Sequence, residues 1–160
     1  MDDERIAYHE AGHAVAAVWL GGEVVHVTLE PDRDDGPSRD GELLVRWHHR
    51  GLSPRDLLAR EVAVALAGPA AEMLYLGERP HPLTVREWAE DWRIVWMLAA
   101  EWVADPALRM QWIEASLRDL CGLFDQAACW QAVAETADEL SAHETLCGEQ
   151  VEAIVRRWMG

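Results

Sequence analysis

Three residues near the start of the chain, His9, Glu10 and His13, have the types and the spacing of a metal-dependent hydrolytic site. Residues four apart lie on one face of a helix, so both imidazoles could bind one zinc ion through neutral nitrogen atoms. Glu10 points about 100° away from His9, so it is expected beside a metal-activated water rather than as a ligand. The pattern predicts zinc-dependent hydrolysis with Glu10 as general base. The alternative is two ordinary helix histidines beside a solvated glutamate.

The helix that carries these residues is expected over 2–20, and after its first turn it is apolar on nearly every side. A helix of this kind is typically buried. Because a buried polar side chain is costly unless it is hydrogen-bonded or binds a metal, burial favours a metal-binding role for the histidines. Gly21 and Gly22 are expected to end the helix, since glycine readily adopts the left-handed conformation.

Three segments of the chain are informative together: Ala-Tyr-His-Glu-Ala-Gly-His-Ala at 7–14, Val-Val-His-Val-Thr-Leu-Glu-Pro at 24–31 and Leu-Ala-Gly-Pro-Ala-Ala-Glu-Met-Leu-Tyr-Leu-Gly at 66–77. They occur in the order found in the FtsH-type zinc metallopeptidases, and the chain resembles that family on them. The resemblance covers about residues 4–104. It implies a zincin-like fold, a zinc cofactor held by both motif histidines and peptide-bond hydrolysis.

The resemblance also implies a third zinc ligand, an aspartate on a later helix, and Asp91 stands at the matching position. The residues before it differ from the family's Thr-Gly-Ala-x-x-Asp pattern. Separate support comes from periodicity, because in a helix over 84–104 Asp91 shares an apolar arc with Trp88 and Trp102. Glu87 lies at the edge of this arc and is the rival ligand. For either carboxylate, a salt bridge to an arginine is the alternative to metal binding.

Further residues are candidates for supporting roles. Glu72 could accept a hydrogen bond from the far nitrogen of a zinc histidine, or it could pair with an arginine. Alternating apolar residues over 23–30 and 41–47 predict a hairpin whose charged connection, 32–40, is expected to be mobile. The second strand could bind an extended substrate through its backbone, or it could only close the core; its candidate residues are Leu44, Val45 and Arg46.

Composition narrows the classes of protein and partner. A chain of 160 residues, half of them apolar, predicts a single domain, with 1–104 as a zinc peptidase-like core and 105–160 as a C-terminal helical subregion. The net charge of −15 argues against nucleic acid and against an anionic membrane surface. No apolar run approaches the ~20 residues of a membrane span, and the acidic N-terminus favours a cytoplasmic location. The three cysteines are expected as reduced thiols, mostly in the core.

Capping signals predict the remaining helices. A helix is expected from Ser53 to Gly77 with a kink at Pro69, and the last helix should end near Trp158. Asp105 and Asp125 are expected as two further N-caps. The helices of 105–160 carry no chemical motif and are expected to form a cap over the catalytic half or an oligomer surface.

Together these observations predict an α+β, mostly α-helical, zincin-like domain with a small hairpin or sheet and a C-terminal helical cap. The expected function is zinc-dependent hydrolysis of unfolded or flexible polypeptides. The sequence contains no phosphate-binding G-x-x-x-x-G-K-[ST] loop, so hydrolysis is expected without ATP unless a separate ATPase partner assists. A homo-oligomer is also possible. The alternative function is a catalytically weak or inactive, zinc-stabilised protein-interaction module.

Overall fold

A computed structural model describes residues 3–30 and 41–160, and these form an α+β fold that is mostly helical, as predicted. The helices are α1 (Asp3–Trp19), α2 (Pro54–Leu76), α3 (Ala89–Trp102), α4 (Pro106–Phe124), α5 (Ala127–His143) and α6 (Gly148–Met159). The strands are β1 (Glu23–Thr28), β2 (Glu42–Arg46) and β3 (Thr145–Cys147), and two 3-10 turns at Pro82–Thr84 and Arg86–Trp88 precede α3. In the described ranges, no helix is both long and apolar enough to cross a membrane.

Helices α1 and α2 pack closely because small residues meet where they cross. A Cβ atom placed on Gly12 would lie only 2.5 Å from the carbonyl oxygen of Ala67 and from the Cβ of Ala71. Both alanines are fully buried. A larger side chain at Gly12 would push the helices apart, so this glycine allows the histidine side of α1 to approach α2.

The sheet has three strands in the order β2-β1-β3, and both pairings are antiparallel. The predicted hairpin of β1 and β2 is present, with Val27 opposite Leu43. The third strand was not predicted, and it places Leu146 on the other side of Val27. The connecting segment 32–40, expected to be mobile, lies outside the described residues.

Residues 105–160 belong to the same hydrophobic core as the N-terminal helices. Helix α4 packs on α2, and α5 packs on α1 and α6. The buried residues Phe124, Leu140 and Val151 fall in one cluster with Ala7 and Leu66 of α1 and α2. This part of the chain, expected as a cap, therefore contributes to the core that holds α1 in place.

Several predicted boundaries are correct. Trp19 ends α1, and Gly21 follows with a φ of 89°. The side chain of Ser53 caps α2 by accepting a hydrogen bond from the Asp56 backbone N–H, and α2 continues through Pro69. Asp105 caps α4 in the same way, through the N–H of Leu108.

Other predicted features are wrong. The expected helix over 84–104 begins only at Ala89, because Val85 is extended and separates two 3-10 turns. Asp125 does not begin a helix; it ends α4, and α5 follows Gln126. Cys121 and Cys129 are buried free thiols, as expected, but Cys147 is exposed on β3. Trp102, expected in the apolar arc with Asp91, is half exposed.

Candidate metal centre

Three potential ligand atoms converge where α1, α2 and α3 meet. His9 and His13 lie one turn apart on α1, and their Nε2 atoms are 3.0 Å apart. Asp91, in the first turn of α3, places Oδ2 2.8 Å from Nε2 of His9 and 3.5 Å from Nε2 of His13. The packing of α3 against α2 thus brings together the three residues that the sequence proposed as ligands.

The donor set and its spacing suit a zinc ion. Two imidazole nitrogens and one carboxylate oxygen are common zinc ligands, and tetrahedral bonds of about 2.0–2.1 Å would separate ligand atoms by about 3.3 Å. The observed separations, 2.8–3.5 Å, bracket that value. Gly68 leaves the necessary space: a Cβ atom there would lie 2.4 Å from Nε2 of His13 and 2.7 Å from Nε2 of His9.

The other imidazole nitrogens have partners that orient the rings. Nδ1 of His13 donates to the backbone carbonyl of Val64 at 2.6 Å. Because a carbonyl oxygen only accepts, Nδ1 carries the proton and the neutral ring has its lone pair on Nε2. Nδ1 of His9 lies 3.6 Å from Oε1 of Glu72, beyond hydrogen-bonding distance but close enough for electrostatic attraction. Both rings therefore direct Nε2 toward Asp91.

Glu72, whose role the sequence left open, lies near both kinds of partner proposed for it, although its distance to the histidine is too long for a hydrogen bond. It faces Nδ1 of His9, and its Oε1 also lies 3.3 Å from Nε of Arg5. Its Oε2 accepts a hydrogen bond from the indole N–H of Trp88. The sequence pattern did not indicate a role for Arg5, and it placed Trp88 only in the apolar arc that contains Asp91. The available signal was the buried indole N–H itself, which needs an acceptor.

The charges of the site shift the pKa of each group. Burial alone would raise the pKa of Asp91, but His13 and His9 outweigh it and lower the pKa far below its usual value. Burial would lower the pKa of His9, but Asp91, Glu72 and Glu10 raise it well above normal. The pKa of His13 is raised too, because Asp91 outweighs burial. Because both pKa values are raised, protons compete with a cation for these imidazoles more strongly than they would at an ordinary histidine.

Glu10 lies beside the convergent atoms and is not among them. The side chain is buried, with 6% of its surface exposed, and desolvation raises the pKa of its carboxyl group although both histidines oppose the shift. Gly41, just before β2, leaves room for this carboxyl group: a Cβ atom there would lie 2.7 Å from Cδ of Glu10. The position suits a base acting on a water molecule at the centre.

An open cleft of about 1010 Å³ gives access to these residues. His9, Glu10, His13 and Asp91 line it, together with apolar residues such as Ile94 and Leu98. A cleft of this size could hold several residues of an extended chain.

The candidate substrate strand meets this cleft at its start and just beyond its end. Gly41, Glu42, Leu43 and Trp47 line the cleft, whereas the sequence candidates Leu44, Val45 and Arg46 are not among its lining residues. Among the described residues, β2 pairs only with β1, so its other edge has no partner strand.

Glu87, the rival third ligand, is exposed on the second 3-10 turn and lines the cleft, outside the group of convergent atoms. Asp91 lies one turn further along the chain and meets both histidines. The geometry therefore favours Asp91 over Glu87.

Comparison with known proteins found a short likeness. No family model matches the chain. The ATP-dependent zinc metalloprotease FtsH of Mesomycoplasma conjunctivae is 35% identical over 81 residues, which are 48% of this chain and 10% of that relative. The chain thus spans about a tenth of the length of the curated relative it matches. This similarity, with a group of histidine and aspartate side chains that could hold a metal, points to the FtsH family and to a metalloprotease-type function.

Proposed function

We propose that the chain is a zinc-dependent peptidase that hydrolyses peptide bonds in unfolded or flexible polypeptides. The observation that carries this proposal is the convergence of His9, His13 and Asp91 within 4.8 Å of one another, beside buried Glu10 and inside an open cleft. A structural zinc site usually has four protein ligands, whereas three ligands with an accessible fourth position are typical of hydrolytic zinc.

The ligand residues would hold zinc through Nε2 of both histidines and a carboxylate oxygen of Asp91. When bound, the ion would polarise the substrate carbonyl and lower the pKa of a water ligand to about 7. Val64 and Glu72 would keep the two imidazoles in the required orientation, because each contacts the nitrogen that faces away from the centre.

Glu10 would transfer the protons. Its carboxylate would accept a proton from the attacking water and then donate that proton to the amine of the departing product. Burial suits it to both steps, because desolvation raises the pKa of the carboxyl group and makes the carboxylate a stronger base. Gly41 would keep the carboxyl group beside the start of β2.

The cleft and the edge of β2 that faces away from β1 would bind the substrate in extended form. Backbone groups of Leu44, Val45 and Arg46 could add the substrate as a fourth strand, which gives affinity with little dependence on sequence. An extended conformation requires an unfolded or flexible segment. The reaction would need no ATP for such substrates, and a separate ATPase partner could deliver folded ones. A homo-oligomer is the other assembly proposed for the chain.

The proposal is tested in two steps. First, elemental analysis should find about one zinc per chain in the wild type and most of it lost in His13→Ala. Second, zinc-loaded wild type should cleave casein, and Glu10→Gln should retain zinc while hydrolysis falls by at least the roughly 100-fold typical of losing a general base.

A matched control is Glu101→Gln, which makes the same change on an exposed part of α3. It should leave both zinc content and hydrolysis unchanged. If the wild type holds zinc but cleaves neither casein nor other unfolded substrates, with or without ATPase partners, the peptidase proposal is wrong. The chain would then be a zinc-stabilised interaction module.

A further inference from the structure

We infer that Trp88 and Arg5 are positioning residues of the metal centre, which act by holding the Glu72 carboxylate against His9. Trp88 also ties the start of α3 to α2, so that Asp91 meets the histidines. The inference rests on the proposed function only in taking zinc as the ion. Neither residue belongs to the metal-binding pattern of the sequence.

The contacts around Glu72 carry this inference. Glu72 is 1% exposed on α2, and its two oxygens face two groups from α1 and one from the 3-10 turn before α3. Arg5 places Nε 3.3 Å from Oε1 and Nη2 3.5 Å from Oε2, Trp88 donates its indole N–H to Oε2, and Nδ1 of His9 lies 3.6 Å from Oε1. Such a carboxylate has little freedom to rotate away from His9.

Arg5 shares a helix face with His9, because the two residues are four apart on α1. Both therefore reach the same carboxylate from the same side. The guanidinium of Arg5 lies near both oxygens of Glu72, so its positive charge attracts the carboxylate and disfavours movement away from α1. Arg5 would thus orient the His9 ring through Glu72 without touching the centre.

Trp88 joins the third element to the other two. It is 1% exposed, it ends the 3-10 turn that leads directly into α3, and Asp91 follows three residues later. No side chain caps this end of α3. The bond from the indole N–H to Glu72 is therefore a specific polar link from the beginning of α3 to α2, and it restricts where the Asp91 carboxylate can lie.

The competing explanation is that Trp88 only fills the core. The variant Trp88→Phe distinguishes core filling from the hydrogen bond to Glu72, because phenylalanine keeps an aromatic ring but has no N–H. We expect Trp88→Phe to weaken zinc binding by about 10–100-fold, the range typical of partners behind metal ligands. Zinc affinity is measured by competition with a chromophoric chelator. The matched control is Trp96→Phe on α3, whose ring stacks on Trp92 and has no contact with Glu72 among the bonds described; its zinc affinity should equal that of wild type.

A double-mutant cycle distinguishes an effect of Trp88 that acts through Glu72 from a purely structural effect. Glu72→Met removes the acceptor at similar length, so Trp88→Phe in that background should cost less than about 3-fold in zinc affinity. Equal losses in both backgrounds would show that Trp88 acts independently of Glu72 and would overturn the inference. Trp96→Phe should be neutral in both backgrounds.

Arg5→Gln keeps the inference testable if Trp88→Phe folds poorly, because Arg5 lies at the partly exposed start of α1. It too should lower zinc affinity by about 10-fold or more. Thermal unfolding of each variant with excess chelator detects a general loss of structure. No zinc in the wild type would contradict the proposed metal centre, whereas wild-type affinity in both folded variants would contradict only this inference.

Discussion

The two sides of helix α1 differ sharply although their residues alternate along the chain. Tyr8 points away from the centre and stacks on Tyr75 of α2 at 4.4 Å and on Trp130 of α5 at 5.4 Å. His9, the next residue, points toward Asp91 and Glu72. One side of the helix is therefore packed by aromatic rings, and the other is bordered by charges.

The difference separates what stabilises the fold from what prepares it for chemistry. Stacked aromatic rings gain free energy by leaving water and by contact with each other. Buried charges cost free energy unless each one has a partner, and a metal ion is one such partner. We therefore expect substitutions on the histidine side to change metal binding most, and substitutions on the aromatic side to change stability most.

The largest effect is expected from Asp91→Ala, which removes one of three convergent ligand atoms. Zinc affinity should fall by more than the roughly 100-fold reached by losing an outer partner. The control is Glu87→Ala, which removes an exposed carboxylate outside the group and should leave affinity unchanged. Competition with a chelator measures both. The reverse ranking would make Glu87 the ligand.

The next largest loss of zinc affinity is expected from Gly68→Ala. The added methyl group would overlap both Nε2 atoms and displace the imidazoles, and such overpacking typically costs about 1–3 kcal/mol. We expect zinc affinity to fall by about 10–100-fold. Gly122→Ala in α4 is the matched control, because a Cβ there meets nothing within 4 Å. An unchanged affinity in Gly68→Ala would contradict the site geometry.

Tyr8→Ala tests the aromatic side. Loss of the stacks on Tyr75 and Trp130 should lower the free energy of unfolding by about 1–3 kcal/mol, while the folded variant keeps wild-type zinc affinity. Urea denaturation with excess chelator measures the first quantity, and chelator competition measures the second. A large loss of zinc affinity without a loss of stability would show that the two sides are not separable.

The smallest expected effect is the dependence of zinc affinity on pH. Asp91 and Glu72 raise the pKa of His9 well above its usual value, so protons compete with zinc for this imidazole up to a higher pH than at an ordinary histidine. Zinc affinity should therefore rise with increasing pH until the raised pKa is passed and level off above it. Calorimetry in buffers of different ionisation enthalpy should detect release of protons when zinc binds at pH 7. Uptake of protons on zinc binding would contradict this prediction.

The sequence was most informative where geometry depends on a single helix. The spacing of His9 and His13 sets their relative direction, and the apolar surroundings predicted that both would lie inside the fold. Helix caps such as Ser53 and Asp105 were also predictable, because a cap is a contact between residues three apart. Asp125 was misassigned because the same residue type also occurs at the end of a helix.

Contacts between elements could not be read from such patterns. Strand β3 pairs with β1 over a separation of more than a hundred residues, and three residues of alternation are too short a signal to predict it. Glu72 is a similar case. Its residue type allowed two partners, and both Arg5 and His9 lie near its carboxylate, because α1 and α2 cross closely.

The sequence by itself determined a buried helix with two histidines on one side and a glutamate beside them, since the 3.6-residue repeat decides which side chains share a face. Only the tertiary structure decided that Asp91 reaches these histidines, that Gly68 leaves space between them and that Trp88 and Arg5 hold Glu72. The physical reason is that these contacts depend on how closely the helices cross. That distance is set by packing of the whole core, including Gly12 between α1 and α2.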